Sequence, residues 1–295
     1  MKIIEKISKS EAALILFSIL NRIPVIIFGD NSNEVNDILI EFSEMVNFRK
    51  EFVFYTDFIS NDEYEYLIQN ENIDFNSQRF LVRCPCSVSI KALNQFNEFK
   101  SWLIGFEIPL HRKDFLHLQD LILVKIKKYL SIYLIQNKVS LKFHGINKKG
   151  LDLSLEYKIL QDIFENTEKA IIKMKRVLQE KMNSEILNDD LTNTLLDFTN
   201  EKQILIKNIL QKEVQDFYYG AKRAFFILTK LNLLKTFDID AKIGTKTLFE
   251  TISYYDASIE RLLNFIFNEW GENFLDLVDD GKKTNVLDSI QSLWG

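Results

Sequence analysis

The sequence predicts an α/β domain with a mostly parallel sheet, followed by a domain of long helices. All three prolines lie within the first 109 residues, and the rest of the chain contains none. Because proline breaks helix interiors, its absence favours long helices in the second part. Short apolar runs alternate with helix start signals before residue 112. We therefore divide the chain into domains 1–112 and 113–295.

Four short apolar runs predict the strands of the first domain. They are continuous rather than alternating, which is typical of strands that are covered on both faces. The runs are Ile23–Phe28, Glu51–Tyr55, Arg79–Cys84 and Ser101–Phe106. We expect a sheet of about four strands, mostly parallel, with helices on both of its faces.

Helix start signals lie before and between these runs. Ser8, Asn31 and Ser60 each stand three residues before a glutamate, which is the spacing of a helix capping box. The first domain is therefore expected to begin with a helix and to continue as three strand–helix units and a closing strand.

Longer helical patterns follow residue 112. The segment Val139–His144 is expected to be a short strand or an extended link between two of them. The expected helices are Asp114 to about Gln136, Leu151–Met182, about Asp190 to Leu234, about Thr247 to Trp270, and Thr284–Trp294.

The third of these helices carries an apolar seam. Its residues are spaced alternately by four and three, as in the contact line of a coiled coil or helical bundle. The seam consists of Leu210, Val214, Phe217, Ala221, Ala224, Leu228 and Leu231. Because the link 183–188 before this helix is short, the second and third helices are expected to form an antiparallel hairpin.

The composition of the chain indicates its cellular compartment but does not identify a binding partner. The net charge of −5 is too small to identify a partner class, and the chain has two cysteines. The apolar stretch Ala12–Leu20 ends at Asn21 and Arg22, which makes it too short to span a bilayer, and no cleavage site of a signal peptide follows it. We expect a cytoplasmic protein without a transmembrane segment.

The corner at Gly29 has the outline of a phosphate-binding loop, because an apolar run, a glycine and a helix start follow one another. A Walker loop continues with four residues and then glycine, lysine and serine or threonine. Those last three positions hold Glu34, Val35 and Asn36. A carboxylate at a helix start takes the place of a bound anion. The corner therefore predicts the fold of a nucleotide-binding sheet without its nucleotide, and we expect no cofactor.

Three acids form a candidate ligand pocket. Asp30, Asp57 and Glu107 each follow or end a predicted strand. Ligands of open parallel sheets bind beyond the carboxyl ends of the strands, where converging acids could hold magnesium. An alternative function is therefore a magnesium-dependent phosphoryl-transfer or hydrolase domain. The opposing interpretation is that these acids cap helices and close loops.

The sequence Cys84-Pro85-Cys86 is a candidate metal-binding pair, with His111 and His117 as the nearest imidazoles. The two histidines have an acceptable spacing, but the cysteines do not match that of zinc modules. We therefore expect no metal at these positions and interpret both cysteines as packing residues at the end of a buried strand.

The segment 112–150 is strongly basic. It holds nine basic residues and two acidic ones, and Lys125, Lys127 and Lys128 are its central cluster. Such a patch favours nucleic acid or an anionic membrane surface, whereas a solvated face is the simpler interpretation. Surface binding is therefore a second alternative function.

The preferred hypothesis is a non-catalytic cytoplasmic interaction, scaffold or regulatory protein. It combines a sheet that lacks nucleotide-binding residues with a helical part that associates with a protein partner or with a second copy of the chain. No catalytic residue is assigned.

Overall fold

The computed structural model of the chain describes residues 2–136, 138–181 and 196–279. The predicted link 183–188, the first residues of the predicted helix that begins at Asp190, and the predicted helix Thr284–Trp294 lie outside the described residues.

The described residues form a sheet of six strands, with the order β2-β3-β4-β1-β5-β6. Its first five strands are parallel, and β6 is antiparallel to β5. The strands are β1 (Val25–Gly29), β2 (Lys50–Val53), β3 (Phe80–Cys84), β4 (Trp102–Glu107), β5 (Tyr129–Ile135) and β6 (Lys138–His144). The four predicted strands are confirmed, but the predicted number is wrong, because two more strands come from residues after 112.

The predicted helix Asp114–Gln136 is also wrong in its second half. The helix ends at Lys125, and β5 begins at Tyr129 and pairs with β1 through residues 130–134. Apart from Ser131, Tyr129–Ile135 is a run of aromatic and aliphatic residues, which fits a strand buried between β1 and β6. The lysines at 125, 127 and 128 are the end of a helix and a link rather than an interruption within one helix.

Helices cover both faces of this sheet. In chain order they are α1 (Lys2–Lys6), α2 (Lys9–Leu20), α3 (Ser32–Met45), α4 (Asn61–Ile73), α5 (Ser89–Gln95) and α6 (Arg112–Lys125). Val35 of α3 shares an apolar cluster with Ile27, whereas Ile122 of α6 shares the opposite cluster with Phe28. The predicted capping boxes at Ser8 and Ser60 are both present.

Residue 112 is the first residue of α6, which connects β4 to β5. The strands on either side of this helix belong to the same sheet. A division of the chain at residue 112 would therefore separate β5, and with it β6, from β1, with which β5 pairs.

A region of long helices follows the sheet. It contains α7 (Ser154–Lys181), α8 (Thr199–Lys235), α9 (Thr245–Ile252) and α10 (Ile259–Trp270), together with the short parallel strands β7 (Ile243–Gly244) and β8 (Val278–Asp279). The predicted seam of α8 is fully buried, and it belongs to the apolar cluster that also contains α2 and α3. The long helices therefore pack on one face of the sheet layer.

Glycine and tryptophan mark two tight contacts in this region. A Cβ atom on Gly220 would lie 3.0 Å from Cβ of Tyr254, so the absence of a side chain allows this close approach. Trp270 is buried and stacks on Phe225 with ring centroids 4.7 Å apart. Trp270 is thus a core residue, whereas Trp294 lies outside the described residues.

Buried charges join the long helices to the sheet layer. Five side chains with at most 6 % exposure lie close together: Arg22, Arg49, Glu71, Arg79 and Glu269. We call them the buried charge cluster. Arg49 donates to both carboxylate oxygens of Glu269, at 3.2 and 2.6 Å, and Arg22 donates to both oxygens of Glu71, at 2.8 and 2.9 Å. Because the cluster holds three cations and two anions, each glutamate is essential to its charge balance.

Within the described ranges, none of the helices combines the length and the apolar character that crossing a bilayer requires.

Candidate functional site

The glycine corner after β1 is closed by the chain itself. The side-chain oxygen of Asn31 accepts hydrogen bonds from the backbone amides of Asn33, at 2.9 Å, and Glu34, at 3.3 Å. These are the amides that a phosphate-binding loop offers to its ligand. The first turn of α3 is therefore capped by its own sequence.

Side chains also occupy the space above the glycine backbone. A Cβ atom on Gly29 would lie 2.6 Å from Cγ2 of Val35, and one on Gly105 would lie 2.9 Å from Sγ of Cys86. The glycines at these positions accommodate packed protein atoms rather than the close approach of a ligand. The valine that stands at the lysine position of a Walker loop is thus part of the core.

This closure lies at the topological switch point of the sheet. Strands β1 and β4 are neighbours, and Gly29 is paired with Glu107, yet α3 and α6 leave these strands toward opposite faces. Ligands of open α/β sheets bind in the crevice at such a point. Here the backbone N–H of Cys86 donates to Oδ1 of Asn36 at 3.2 Å across the crevice. The loop after β3 is thus tied to α3 beside the position where a nucleotide would bind.

Asp30 lies beside the corner, in a shallow cleft of 590 Å³ between α1, α3 and the β5–β6 hairpin. One of its carboxylate oxygens accepts from the backbone N–H of Gln136 at 3.4 Å. Its charged neighbours in the cleft are Lys6, Glu34, Asp37, Glu41 and Lys138. With four carboxylates and two ammonium groups the lining is acidic, which disfavours a phosphate group.

The other two predicted pocket residues do not join Asp30 in this cleft. Asp57 accepts from the backbone N–H of Val53 at 2.6 Å, so it closes a turn after β2, and it lines a separate cleft of 410 Å³. Glu107 ends β4 next to Gly29, and the lining of the Asp30 cleft does not include it among the described residues. The sheet brings Asp30 and Glu107 onto adjacent strands and keeps Asp57 beyond β3.

The two cysteines face opposite sides of the sheet. Cys84 belongs to the cluster of α5 and α6, whereas Cys86 packs against the cluster of α3. Burial raises the pKa of the Cys84 thiol, and burial together with the charge of Glu107 raises the pKa of Cys86 to about 11. Both thiols are therefore protonated near neutral pH and are poor nucleophiles or metal ligands.

Across the described residues, no three histidine, cysteine, aspartate or glutamate side chains come together in a way that could hold a metal ion.

Comparisons of the chain with protein-family models, with curated proteins and with solved structures found no match. Function is therefore inferred from the residues of the chain itself.

The three central lysines of the basic segment occupy the end of α6 and the link to β5. Lys125 is half-buried, whereas Lys127 and Lys128 are exposed. The link passes close to Gly145, which has a φ of 68° and whose added Cβ atom would collide with the backbone oxygen of Lys127. Gly145 therefore lets the link and the end of β6 lie side by side, which fixes the position of both exposed lysines.

A feature that the sequence analysis missed lies on the outer face of α8. Tyr219, Phe226 and Leu233 follow one another at intervals of seven residues, and Phe237 comes just after the helix end. These side chains are between 39 and 68 % exposed, although the seam on the other side of the helix is buried. We call the four residues the outer stripe. Their seven-residue spacing in the sequence was the signal that could have revealed this stripe.

Proposed function

We propose that the chain is a non-catalytic cytoplasmic interaction protein that associates through its long-helix region. The outer stripe of α8 carries this proposal. Seven-residue spacing keeps side chains on one line of a helix, and such a line of apolar residues is what a second helix packs against. Large apolar side chains that recur along one exposed line of a helix favour an interaction surface over ordinary scattered exposure.

The occupant that we propose is the outer stripe of a second copy of the chain. Most soluble oligomers are symmetric dimers in which the same patch meets itself, and an apolar row is self-complementary. Antiparallel pairing about the middle of the stripe would bring Tyr219 of each copy close to Phe237 of the other, where aromatic rings can pack.

The size of the stripe sets the strength of this association. In each copy the four side chains are already about half-buried, so covering the rest in both copies contributes a gross ~8 kcal/mol. The cost of bringing two molecules together is of the same order or larger. We therefore expect a reversible dimer that depends on concentration rather than an obligate one.

The closed corner supports a non-catalytic role. An enzyme of nucleotide-binding outline needs free amides at the helix start and a fixed cation, and here Asn31 and Val35 occupy those places. The magnesium-dependent alternative required Asp30 and Asp57 to act together. They line different clefts.

The stripe is tested by the solution mass of the full chain at increasing concentration, measured by light scattering. We expect the mass to rise from the monomer value of 34.8 kDa toward twice that value. Replacing Phe226 and Leu233 with glutamate should return the mass to that of the monomer at every concentration, because charges in the stripe would have to be desolvated.

A matched control replaces Ile172 and Ile204 with glutamate, since both are exposed apolar residues of the long helices outside the stripe. This variant should associate like the unmodified chain. A chain that stays monomeric at all concentrations, or a dimer that survives the Phe226 and Leu233 substitutions, would contradict the proposal.

A further inference from the structure

The outward face of α6 combines exposed aliphatic side chains with basic ends. Leu116 and Leu123 are seven residues apart, and Val124 follows, so the three lie on one side of the helix. Between 46 and 75 % of each side chain is exposed. The buried side of the same helix carries Leu118 and Ile122. Helix α6 is therefore apolar on two sides, and only one of them is used by the core.

Basic residues surround this aliphatic face. Lys113 lies three residues before Leu116 at one end of α6, and the exposed Lys127 and Lys128 follow the other end. Asp120 is the acid that falls within the face, since it lies four residues after Leu116. The face thus has an aliphatic middle and cationic ends.

The neighbouring edge strand extends the same charge. Lys142 of β6 is exposed and is paired with Ser131 of β5. Alternate residues of a strand share a face, so this lysine lies on the side of the sheet where Tyr129 packs with α6. A hydrogen bond of 3.2 Å from Gln119 of α6 to the hydroxyl of Tyr133 sets this helix beside β5. The face of α6, the link and Lys142 therefore give a basic surface on one side of the sheet.

We propose that this surface, which we call the α6 surface, binds an anionic lipid bilayer. Lysines attract the negative headgroups, and the exposed leucines and valine can enter the boundary between headgroups and acyl chains. Nucleic acid would require the lysines equally, but its bases stack on aromatic rings and offer little to aliphatic side chains. The aliphatic middle of the surface is what favours the bilayer.

The α6 surface and the outer stripe lie on opposite sides of the sheet. Helix α6 belongs to the apolar cluster of one face, and α8 belongs to the cluster of the other. Membrane binding is therefore independent of the proposed self-association, and the variants that test one leave the other unchanged.

The test is co-sedimentation of the full chain with vesicles of phosphatidylcholine and phosphatidylserine in equal parts, beside vesicles of phosphatidylcholine alone. We expect binding to the anionic vesicles that weakens as salt is raised. Each lysine near such a surface strengthens binding by roughly fivefold. Replacing Lys113, Lys127 and Lys128 together with glutamine should therefore weaken binding by about a hundredfold.

Two further variants separate the lipid from other anions. Replacing Leu116 and Leu123 with serine should weaken vesicle binding with the salt dependence retained, and Asp120→Asn should strengthen it by roughly fivefold. The control variant replaces three exposed lysines of α7 with glutamine: Lys169, Lys173 and Lys175. Its net charge equals that of the variant in which Lys113, Lys127 and Lys128 are replaced, and it should bind vesicles like the unmodified chain.

Three results would overturn the proposal. The first is equal binding to anionic and neutral vesicles, or no binding to either. The second is an equal loss of binding in the α7 control, which would show an effect of net charge alone. The third is binding to RNA that requires the three lysines of the α6 surface, together with a serine variant that binds vesicles and RNA like the unmodified chain. That combination would identify nucleic acid as the partner.

Discussion

Replacing Glu269 with glutamine is expected to lower the free energy of unfolding by at least about 3 kcal/mol. Its carboxylate receives two hydrogen bonds from Arg49, the shorter of them 2.6 Å, and both side chains are fully buried. Glutamine keeps the size of the side chain but removes its charge. The buried charge cluster would then hold three arginines and one glutamate, and an unpaired buried cation is strongly destabilising.

Arg79, another arginine of the buried charge cluster, also depends on the charge of Glu269. Among the described residues its Nε and Nη1 atoms have no hydrogen-bond partner, and burial lowers its pKa. The charges of Glu71 and Glu269 oppose that lowering of the pKa. Glu269 therefore stabilises a second arginine besides the one that it binds directly.

Denaturant unfolding followed by circular dichroism measures the effect. The matched control is Glu250→Gln, which breaks an exposed ion pair with Lys246 at 3.7 Å and should change the unfolding free energy by less than about 0.5 kcal/mol. The double variant Arg49→Met with Glu269→Leu removes both charges and should recover part of the loss, since the carbonyls of Ile19 and Leu20 also lose the hydrogen bonds that Arg49 donates. Equal, small effects of Glu269→Gln and Glu250→Gln would contradict this account of the cluster.

Phe217→Ala is expected to cost about 3–5 kcal/mol of unfolding free energy. Phe217 is fully buried in the seam of α8, and its ring centroid lies 4.8 Å from that of Phe265 and 5.6 Å from that of Tyr254. Alanine would leave a cavity between α8, α10 and the segment after α9. That is the cost of a large-to-small substitution in a packed core.

The same substitution at Phe226 provides the control on the same helix. Phe226 belongs to the outer stripe and is 39 % exposed, so Phe226→Ala should cost less than about 1 kcal/mol. Denaturant unfolding at a protein concentration below that of association measures both. Similar losses for the two variants would show that the outer stripe is part of the core, and would remove the basis for the proposed association.

Local patterns predicted the elements that local chemistry determines. The caps at Ser8 and Ser60 depend on residues three positions apart, and the structure forms both. The seam of α8 depends on spacing within one helix, and it is buried as expected. The corner at Gly29 was also decided by neighbouring residues, since Asn31 and Val35 close it.

The errors arose where tertiary position decides the structure. Tyr129–Ile135 is short and apolar, and such a run fits a buried strand as well as a helix. It becomes a strand because β1 presents a free edge to it, which no local pattern shows. The order of the strands likewise separates Asp57 from Asp30, although both follow strands in the sequence.

Exposed surfaces are also difficult to predict from local patterns, because they depend on how the helices pack. Phe217 belongs to the predicted seam of α8 and is buried, whereas Phe226 lies on the other side of the same helix and is partly exposed. Their difference follows from the side of α8 on which α10 packs. The seven-residue spacing of the outer stripe is present in the sequence, but the exposure of the stripe and of the α6 surface follows from how the helices pack.

The sheet has the outline of a nucleotide-binding domain, but the corner after β1 is closed by the chain itself. Thermal unfolding of the full chain with and without magnesium and ATP or GTP measures whether this corner binds a nucleotide. We expect the same melting temperature in all conditions, because Asn31 already caps the helix start and Val35 fills the space above Gly29. A ligand at roughly a hundred times its dissociation constant adds about 2.7 kcal/mol of stability. A rise in melting temperature of that size with nucleotide and magnesium would contradict the account.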